Sequence, residues 1–143
     1  MRFDDPLVAP LLQGLVDEYQ ERYGTSEELA STVVDDFEPP FGLFLVVVDA
    51  GATVAGGGLR RVSDERCEIK RMWTDAGNRR RGLASRVLAE LETHAVRLGY
   101  TSVILETGPM QPEAHGLYQR HGYATVPTYG RYDDATAYEK RVT

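Results

Sequence analysis

Apolar residues in the first part of the chain recur at intervals of three and four residues. From about Asp5 to Tyr23 this spacing predicts an amphipathic helix, with Gly24 as its stop signal. The next segment, Thr25–Thr32, has hydroxyl side chains that suit a helix cap and acids in its first turn. It therefore predicts a second, shorter helix.

The pattern then changes to that of strands. Leu43–Asp49 is an apolar, β-branched run, Thr53–Val62 follows it after a turn signal, and Cys67–Thr74 follows a second turn. These runs predict three antiparallel strands in series. The glycines Gly56–Gly58, in the middle run, indicate a bulge or a close approach of the backbone to another segment.

Helices and strands alternate in the second half of the chain. The clearest helix is Arg81–Leu98, whose apolar stripe consists of Leu83, Val87, Leu88, Leu91, Ala95 and Leu98. The other predicted elements are a strand at Thr101–Thr107, a helix at Pro112–Gly122, and strands at Tyr123–Val126 and Ala135–Val142. Because a strand–helix–strand unit joins parallel strands, we expect the strands before and after the long helix to be parallel neighbours.

Together these elements predict an α+β fold, with a mixed, mostly antiparallel sheet and helices on both faces. The chain has 143 residues, of which 42% are hydrophobic, and that suffices for one hydrophobic core. The sequence contains no internal repeat, low-complexity tract or linker. We therefore expect a single domain over residues 1–143.

Composition narrows the class of partner. Sixteen Lys and Arg residues stand against 22 Asp and Glu, a net charge of −6, whereas nucleic-acid binding needs a broad basic surface. The apolar runs are too short to cross a bilayer, the N-terminus lacks the apolar core of a signal peptide, and Cys67 is the single cysteine. We expect a cytoplasmic protein that binds neither nucleic acid nor membrane. The three histidines, His94, His115 and His121, are scattered along the sequence, so no metal site is predicted and all three are interpreted as surface residues.

One stretch concentrates positive charge in this acidic chain. Asn78–Ser85 reads NRRRGLAS and stands where the longest predicted helix begins. A helix N-terminus carries free N–H groups and partial positive charge, and a glycine lets an anion approach them, so the stretch predicts a phosphate site. Neither a P-loop motif nor the glycine fingerprint of dinucleotide folds occurs in the chain. The alternative is that the arginines are simply solvated.

Two motifs carry a family resemblance. RRRGLA (Arg79–Ala84) resembles the R/Q-x-x-G-x-G/A loop of the GNAT-type N-acetyltransferase superfamily, which holds the pyrophosphate of acetyl-CoA. EAHGLYQRHGYATV (Glu113–Val126) resembles that superfamily's A-x-x-L-Y-x-x-x-G-[FY] segment, and the order of elements is similar along the chain. There are two departures: the usual first strand is reduced to about Met1–Phe3, and Gln111 stands where the family often has asparagine.

The resemblance implies a GNAT-like fold in which a central strand pair splays apart and acetyl-CoA lies in the gap. The strand end before the loop would pair its backbone with the pantetheine arm and polarise the thioester carbonyl. The loop would hold the pyrophosphate, with Arg80 either solvated or at the ribose phosphate. The cofactor-binding residues implied are Met72, Trp73, Thr74, Arg79, Arg80, Arg81, Gly82, Leu83, Ala84 and Gln111.

The resemblance also implies the catalytic residues of a direct acetyl transfer. Tyr118 stands at the family's tyrosine position, where a phenol protonates the departing thiolate; the alternative is a core aromatic. The amine must lose a proton, and Glu68 or Glu106 would accept it. Strand alternation places Glu68, Lys70 and Met72 on one face. The alternative for Glu68 is a pair with a neighbouring basic residue such as Lys70 or Arg61. Direct transfer needs no cysteine nucleophile, so Cys67 is expected to be a small buried residue.

The sequence constrains the acceptor amine less than it constrains the cofactor. Candidate acceptor-binding residues are Arg61, Glu106, Tyr129 and Arg131. Arginines that clamp a carboxylate would suit an amino acid or another anionic small-molecule amine, and the alternative is a solvated loop. A non-catalytic CoA-binding sensory module and an enzyme acting on a protein amine remain open, as does a homodimer.

Overall fold

The computed structural model describes residues 6–14, 37, 40–79, 81–107, 112–127 and 135–143. The elements are α1, helical over residues 9–14, β1 (Leu43–Asp49), β2 (Ala52–Arg61), β3 (Arg66–Thr74), α2 (Leu83–Arg97), β4 (Ser102–Thr107), α3 (Pro112–Arg120), β5 (Ala124–Val126) and β6 (Thr136–Arg141). The later turns of the first predicted helix and the whole of the second lie outside the described residues. Within the described ranges, no helix has the length and apolar character needed to span a membrane.

Six strands form one sheet in the order β1-β2-β3-β4-β6-β5. Neighbouring strands are antiparallel except β3 and β4, which are parallel because α2 carries the chain from one to the other. The predicted α+β fold with a mixed, mostly antiparallel sheet is confirmed.

Helices cover both faces of the sheet. On the face that we call the α2 face, Leu45 of β1 packs in the same cluster as α2 and as Leu117 of α3. On the opposite face, which we call the Phe44 face, Phe44 packs with Leu11 of α1 and with Phe37. Because successive strand residues point to opposite faces, β1 contributes to both clusters.

The stripe predicted for the long helix is the buried side of α2, with one exception. Leu83, Val87, Leu88, Leu91 and Ala95 are buried. Leu98 is 37% exposed, so its place in the buried stripe was predicted wrongly. It caps α2 after Arg97, and the chain turns away at Gly99 (φ 97°), so its side chain projects beyond the packed part of the helix.

The parallel ladder between β3 and β4 is short. It joins Arg66–Glu68 to Ser102–Ile104, although β3 continues to Thr74 and β4 to Thr107. Beyond the ladder the two strands diverge, as expected for a splayed central pair. A gap therefore opens between the second halves of the two strands.

A β-bulge accompanies this divergence. Lys70 pairs with Gly58, but the next pair joins Trp73 to Gly56, so β3 has two residues opposite one of β2. Arg71, inside the bulge, has a φ of 61°, which is uncommon for a residue with a side chain. The extra residue reverses the alternation. Met72 therefore packs on the α2 face, and its predicted place on the face of Glu68 and Lys70 was wrong.

The three glycines of β2 allow the close approach that the sequence indicated. A Cβ on Gly58 would lie 2.5 Å from a ring carbon of Phe37, and one on Gly56 would lie 2.5 Å from the Leu45 carbonyl oxygen. A Cβ on Gly57 would lie 2.6 Å from Sδ of Met72. The strand opposite the bulge is thus packed from both faces with no room for side chains.

We expect Gly58→Ala to lower the free energy of unfolding by about 1–3 kcal/mol, because the added methyl group overlaps buried aromatic rings. Gly57→Ala should cost less, since the thioether that it meets belongs to a flexible side chain. Urea unfolding midpoints measure both effects.

Gly116→Ala in α3 is the control for the glycine substitutions. Its Cβ would meet only the tip of Arg120, at 3.2 Å, and alanine favours the helix, so stability should hold or rise. A Gly58→Ala variant as stable as the unsubstituted chain would contradict the close packing over β2.

Candidate active site

The arginine-rich loop ends at the N-terminus of α2. Gly82, the N-cap residue, has φ 73° and ψ 15°, a left-handed conformation that suits glycine. It offers no side chain to cap the first N–H groups, and the first turn contains no acidic residue. Leu83 is buried and Ala84 packs against the same core, which fixes the helix end in place. This N-terminus is suited to bind an anion through its N–H groups and partial positive charge.

Arg81 lies beside this helix end. Its Nη1 is 3.1 Å from Oδ2 of Asp49, at the end of β1, and donates to Oδ1 of Asn78 at 2.5 Å. The side chains of Arg81 and Asp49 are 48% and 51% exposed, and such an exposed pair is worth only about 0–1 kcal/mol. An anion at the N-terminus of α2 can therefore compete with Asp49 for the guanidinium.

Met72, Trp73 and Thr74 form the β3 side of the gap. The Trp73 side chain lies on the Phe44 face, where a Cβ on Gly14 would be 2.2 Å from its Nε1, so α1 packs directly on the indole. The edge of this segment that faces β4 lies beyond the last pair of the parallel ladder. Its peptide groups are placed to pair with an extended ligand instead of a strand.

Glu68 stands where the two strands part. It is the last residue of β3 in the parallel ladder, opposite Ile104, and is 3% exposed. Nε and Nη2 of Arg60 each lie 2.8 Å from its Oε1. A buried carboxylate requires such a partner, because an unpaired buried charge is costly.

Glu106 lies on the same face of the sheet as Glu68. Glu68 pairs with Ile104, paired residues share a face, and Glu106 is two residues further along β4. The two candidate bases therefore occupy opposite sides of the gap on one face. Both remain predictions as catalytic groups.

Tyr118 lies on the α2 face. It is 5% exposed and belongs to the main core cluster, together with Leu83 at the start of α2. Its ring is 5.7 Å from that of Tyr123 and 5.9 Å from that of Tyr138, measured between centroids. The core packing that the sequence offered as an alternative is thus present, and it is compatible with the catalytic role.

The structure does not bring Arg61 to the gap. Arg61 pairs with Cys67 near the opposite end of β3, forms a salt bridge with Asp64 and lies over the ring of Phe41. Arg79, in the loop, is exposed. The remaining predicted site residues, Arg80, Gln111, Tyr129 and Arg131, lie outside the described residues.

Cys67 is a buried core residue, as expected, and not a nucleophile. It has no exposed surface, and burial raises the pKa of its thiol from 9.0 to about 12. Its Sγ lies 3.7 Å from the carbonyl oxygen of Ser102. The reactive thiolate is therefore not available at neutral pH.

Two contacts at the site were missed from the sequence. Glu68 pairs with a neighbouring basic residue, as the alternative interpretation of the sequence had it, but this partner is Arg60, which was not named; counting back from the turn between β2 and β3 places Arg60 directly opposite it, so a signal existed. His115, interpreted as a surface residue, is half-buried with its Nδ1 2.8 Å from the Tyr138 hydroxyl. No sequence spacing connects that pair.

Comparison with known proteins agrees with this geometry. A crystal structure described as an acyl-CoA N-acyltransferase from Klebsiella pneumoniae superposes with a TM-score of 0.82 at 26% identity, covering 100% of this chain and 94% of that one. An uncharacterized N-acetyltransferase of Schizosaccharomyces pombe is 29% identical over 80% of this chain and 76% of its own length. The blasticidin-S acetyltransferase of Streptomyces morookaense is 38% identical over 53% of this chain and 57% of its own length.

The sheet of this chain opens between two parallel strands, beside a helix N-terminus that is suited to bind an anion. These two features together define the class of GNAT-fold acyltransferases. The model of the acetyltransferase (GNAT) family matches residues 9–123. The chain belongs to this family, and it is an N-acetyltransferase.

Proposed function

We propose that residues 1–143 form a single domain that transfers acetyl from acetyl-CoA to the primary amine of a small molecule. The observation that carries the proposal is the gap between β3 and β4, which leads to the uncapped N-terminus of α2 beside Arg81. An extended thioester fits this arrangement, with its amide-bearing arm along the open edge of β3 and its pyrophosphate at the helix end.

In the proposed reaction the amine nitrogen attacks the thioester carbonyl, and the carbon–sulfur bond breaks. Backbone N–H groups at the end of β3 stabilise the oxyanion. The proton of the amine passes to a carboxylate, directly or through water, and the phenol of Tyr118 gives its proton to the departing thiolate. Both groups are restored by exchange with solvent.

Glu68 is the carboxylate that we propose as base. It stands at the point where the strands part, and Nε and Nη2 of Arg60 both contact its Oε1, which fixes the orientation of the carboxylate. Glu106 lies two residues beyond that point, on the strand across the gap. The position of Glu68 at the fork favours it over Glu106.

The test of the function is thiol release from acetyl-CoA over a panel of amines. The panel contains a neutral and an acidic amino acid, an aliphatic diamine, an aminoglycoside and blasticidin S, the last because a relative is named for it. We expect turnover with at least one small amine, and a mass increase of one acetyl group in that amine.

Calorimetry with acetyl-CoA accompanies the panel. Binding without any thiol release would favour the non-catalytic module, and acetylation of protein amines alone would favour a protein acceptor. Absence of acetyl-CoA binding would contradict the proposed site. Because Cys67 is buried, thiol reagents report the released CoA and not the enzyme.

We expect Arg81→Ala to weaken acetyl-CoA binding about 10- to 100-fold, which corresponds to the loss of a hydrogen-bonded charge pair with phosphate. Binding of acetyl-pantetheine, which lacks the pyrophosphate, should be unchanged. Calorimetry at fixed salt measures both affinities.

Arg97→Ala provides the matched control, since Arg97 is exposed at the far end of the same helix. Asp49→Asn should not weaken binding, because it removes the competitor for Arg81. Equal losses with acetyl-CoA and acetyl-pantetheine in Arg81→Ala would exclude the pyrophosphate role.

The general base can be identified by comparing Glu68→Gln with Glu106→Gln. We expect kcat to fall about 100-fold or more in Glu68→Gln and less than about tenfold in Glu106→Gln. Thiol release at saturating acetyl-CoA and amine measures kcat for both variants.

The double variant Arg60→Gln/Glu68→Gln removes both charges of the pair, so that no unpaired charge is left, and it separates loss of the base from loss of stability. It should be as inactive as Glu68→Gln while regaining stability. A larger loss of kcat in Glu106→Gln would assign the base to the other strand.

A further inference from the structure

Two tyrosine rings flank the ring of Tyr118. The Tyr118–Tyr123 pair meets at an interplanar angle of 64° with 5.7 Å between centroids, and the Tyr118–Tyr138 pair at 44° with 5.9 Å. All three rings are at least nine-tenths buried. Tyr123 follows α3, and Tyr138 lies on β6, so the rings approach Tyr118 from different parts of the chain.

The hydroxyl of Tyr138 is bonded back to α3. Its oxygen is 2.8 Å from Nδ1 of His115, and the two rings also meet edge to face at 5.9 Å. In the neutral imidazole whose Nε2 carries the proton, the phenol donates to Nδ1. His115 and Tyr118 are three residues apart on α3 and share a helix face. The bond therefore fixes the face of α3 that carries Tyr118 to β6.

The hydroxyl of Tyr123 is bonded to α2. It donates to Oε2 of Glu92 at 3.1 Å, and Nζ of Lys140 on β6 donates to Oε1 of the same carboxylate at 2.8 Å. Burial, and then the charge of Glu92, raise the pKa of Tyr123 above its ordinary value. Tyr123 thus remains a hydrogen-bond donor throughout the pH range of an enzyme assay.

Core filling alone does not account for these two phenols. Phenylalanine would supply the same ring contacts and would avoid the cost of burying a hydroxyl. Instead each hydroxyl is bonded to a different element, Tyr138 to α3 and Tyr123 to α2. The two bonds fix the two rings, and the two rings leave Tyr118 little freedom of rotation.

We propose that Tyr123 and Tyr138 are positioning residues for Tyr118: their anchored rings hold its phenol in the orientation that protonates the departing thiolate. The inference rests on the proposed role of Tyr118 as general acid. Neither Tyr123 nor Tyr138 exchanges a proton with the substrate. Removing either hydroxyl should lower kcat without altering acetyl-CoA binding, because small displacements of a catalytic group reduce the rate steeply.

The experiment measures kcat for Tyr138→Phe, Tyr123→Phe, Tyr118→Phe and the two doubles that contain Tyr118→Phe. Thiol release from saturating acetyl-CoA is followed with the amine of the panel that turns over fastest. We expect kcat to fall about 5- to 20-fold in Tyr138→Phe and in Tyr123→Phe, with the KM for acetyl-CoA unchanged. In the Tyr118→Phe background neither substitution should lower kcat further, since there is then no phenol to position.

Two controls separate positioning from stability. Tyr100→Phe also removes a buried tyrosine hydroxyl, one that donates to the Phe41 carbonyl at 2.6 Å, and it should lower the melting temperature while kcat is retained. His115→Asn keeps a hydrogen-bonding atom near the position of Nδ1 and should retain more activity than His115→Ala, although alanine has the higher helix propensity.

The outcomes are distinguishable. Full turnover by Tyr118→Phe would remove the general-acid role itself. Loss of turnover by Tyr118→Phe, with unchanged kcat in Tyr138→Phe and Tyr123→Phe, would overturn the positioning role alone. If Tyr138→Phe and Tyr123→Phe lower kcat in the Tyr118→Phe background as much as they do alone, the two hydroxyls do not act through Tyr118. That result would also overturn the positioning role.

Discussion

The early end of the parallel ladder between β3 and β4 is the constraint on which the site depends. Three residue pairs hold the strands together, and beyond Glu68 and Ile104 they part. A parallel pair inside a sheet would normally continue, because each lost rung leaves peptide groups without a partner. The bulge at Arg71 follows three residues after the ladder ends, and a bulge bends its strand and redirects the peptide groups that follow it. The gap is therefore a built feature of the fold.

Packing around the bulge keeps the gap open. On the Phe44 face, Trp73 is held against α1, and on the α2 face Met72 fills the space over Gly57. Met72 and Trp73, which follow the bulge, are thus packed against the clusters on opposite faces of the sheet. For β3 to form a regular ladder, both side chains would have to leave this packing. The glycines opposite the bulge are needed because they leave room for this packing. The contacts of Met72 and Trp73 therefore stabilise the core and also keep the edge of β3 open.

Much of this architecture could be predicted from the sequence, because periodicity reports which face of an element is buried. The predicted strand Leu43–Asp49 coincides with β1, and the predicted long helix differs from α2 by two residues at its start and one at its end. Alternation fails at Arg71, since one inserted residue reverses every later side chain of the strand. The glycines Gly56–Gly58 indicated a bulge or a close approach but not that β3 takes the extra residue. The bond between His115 and Tyr138 could not be predicted either, because it depends on how α3 lies over β6.

The gap connects two faces of different chemistry. Glu68 and Glu106 lie on the Phe44 face, whereas Tyr118 and its two neighbouring tyrosines lie on the α2 face. In the proposed reaction the amine meets carboxylates on one face and the thiolate leaves beside a phenol on the other. A continuous sheet would separate these groups, because paired backbones exclude a substrate from the space between the faces. Opening the sheet at one pair of strands lets one thioester lie between the two faces. The attacking amine then meets a proton acceptor on one face, and the departing sulfur meets a proton donor on the other.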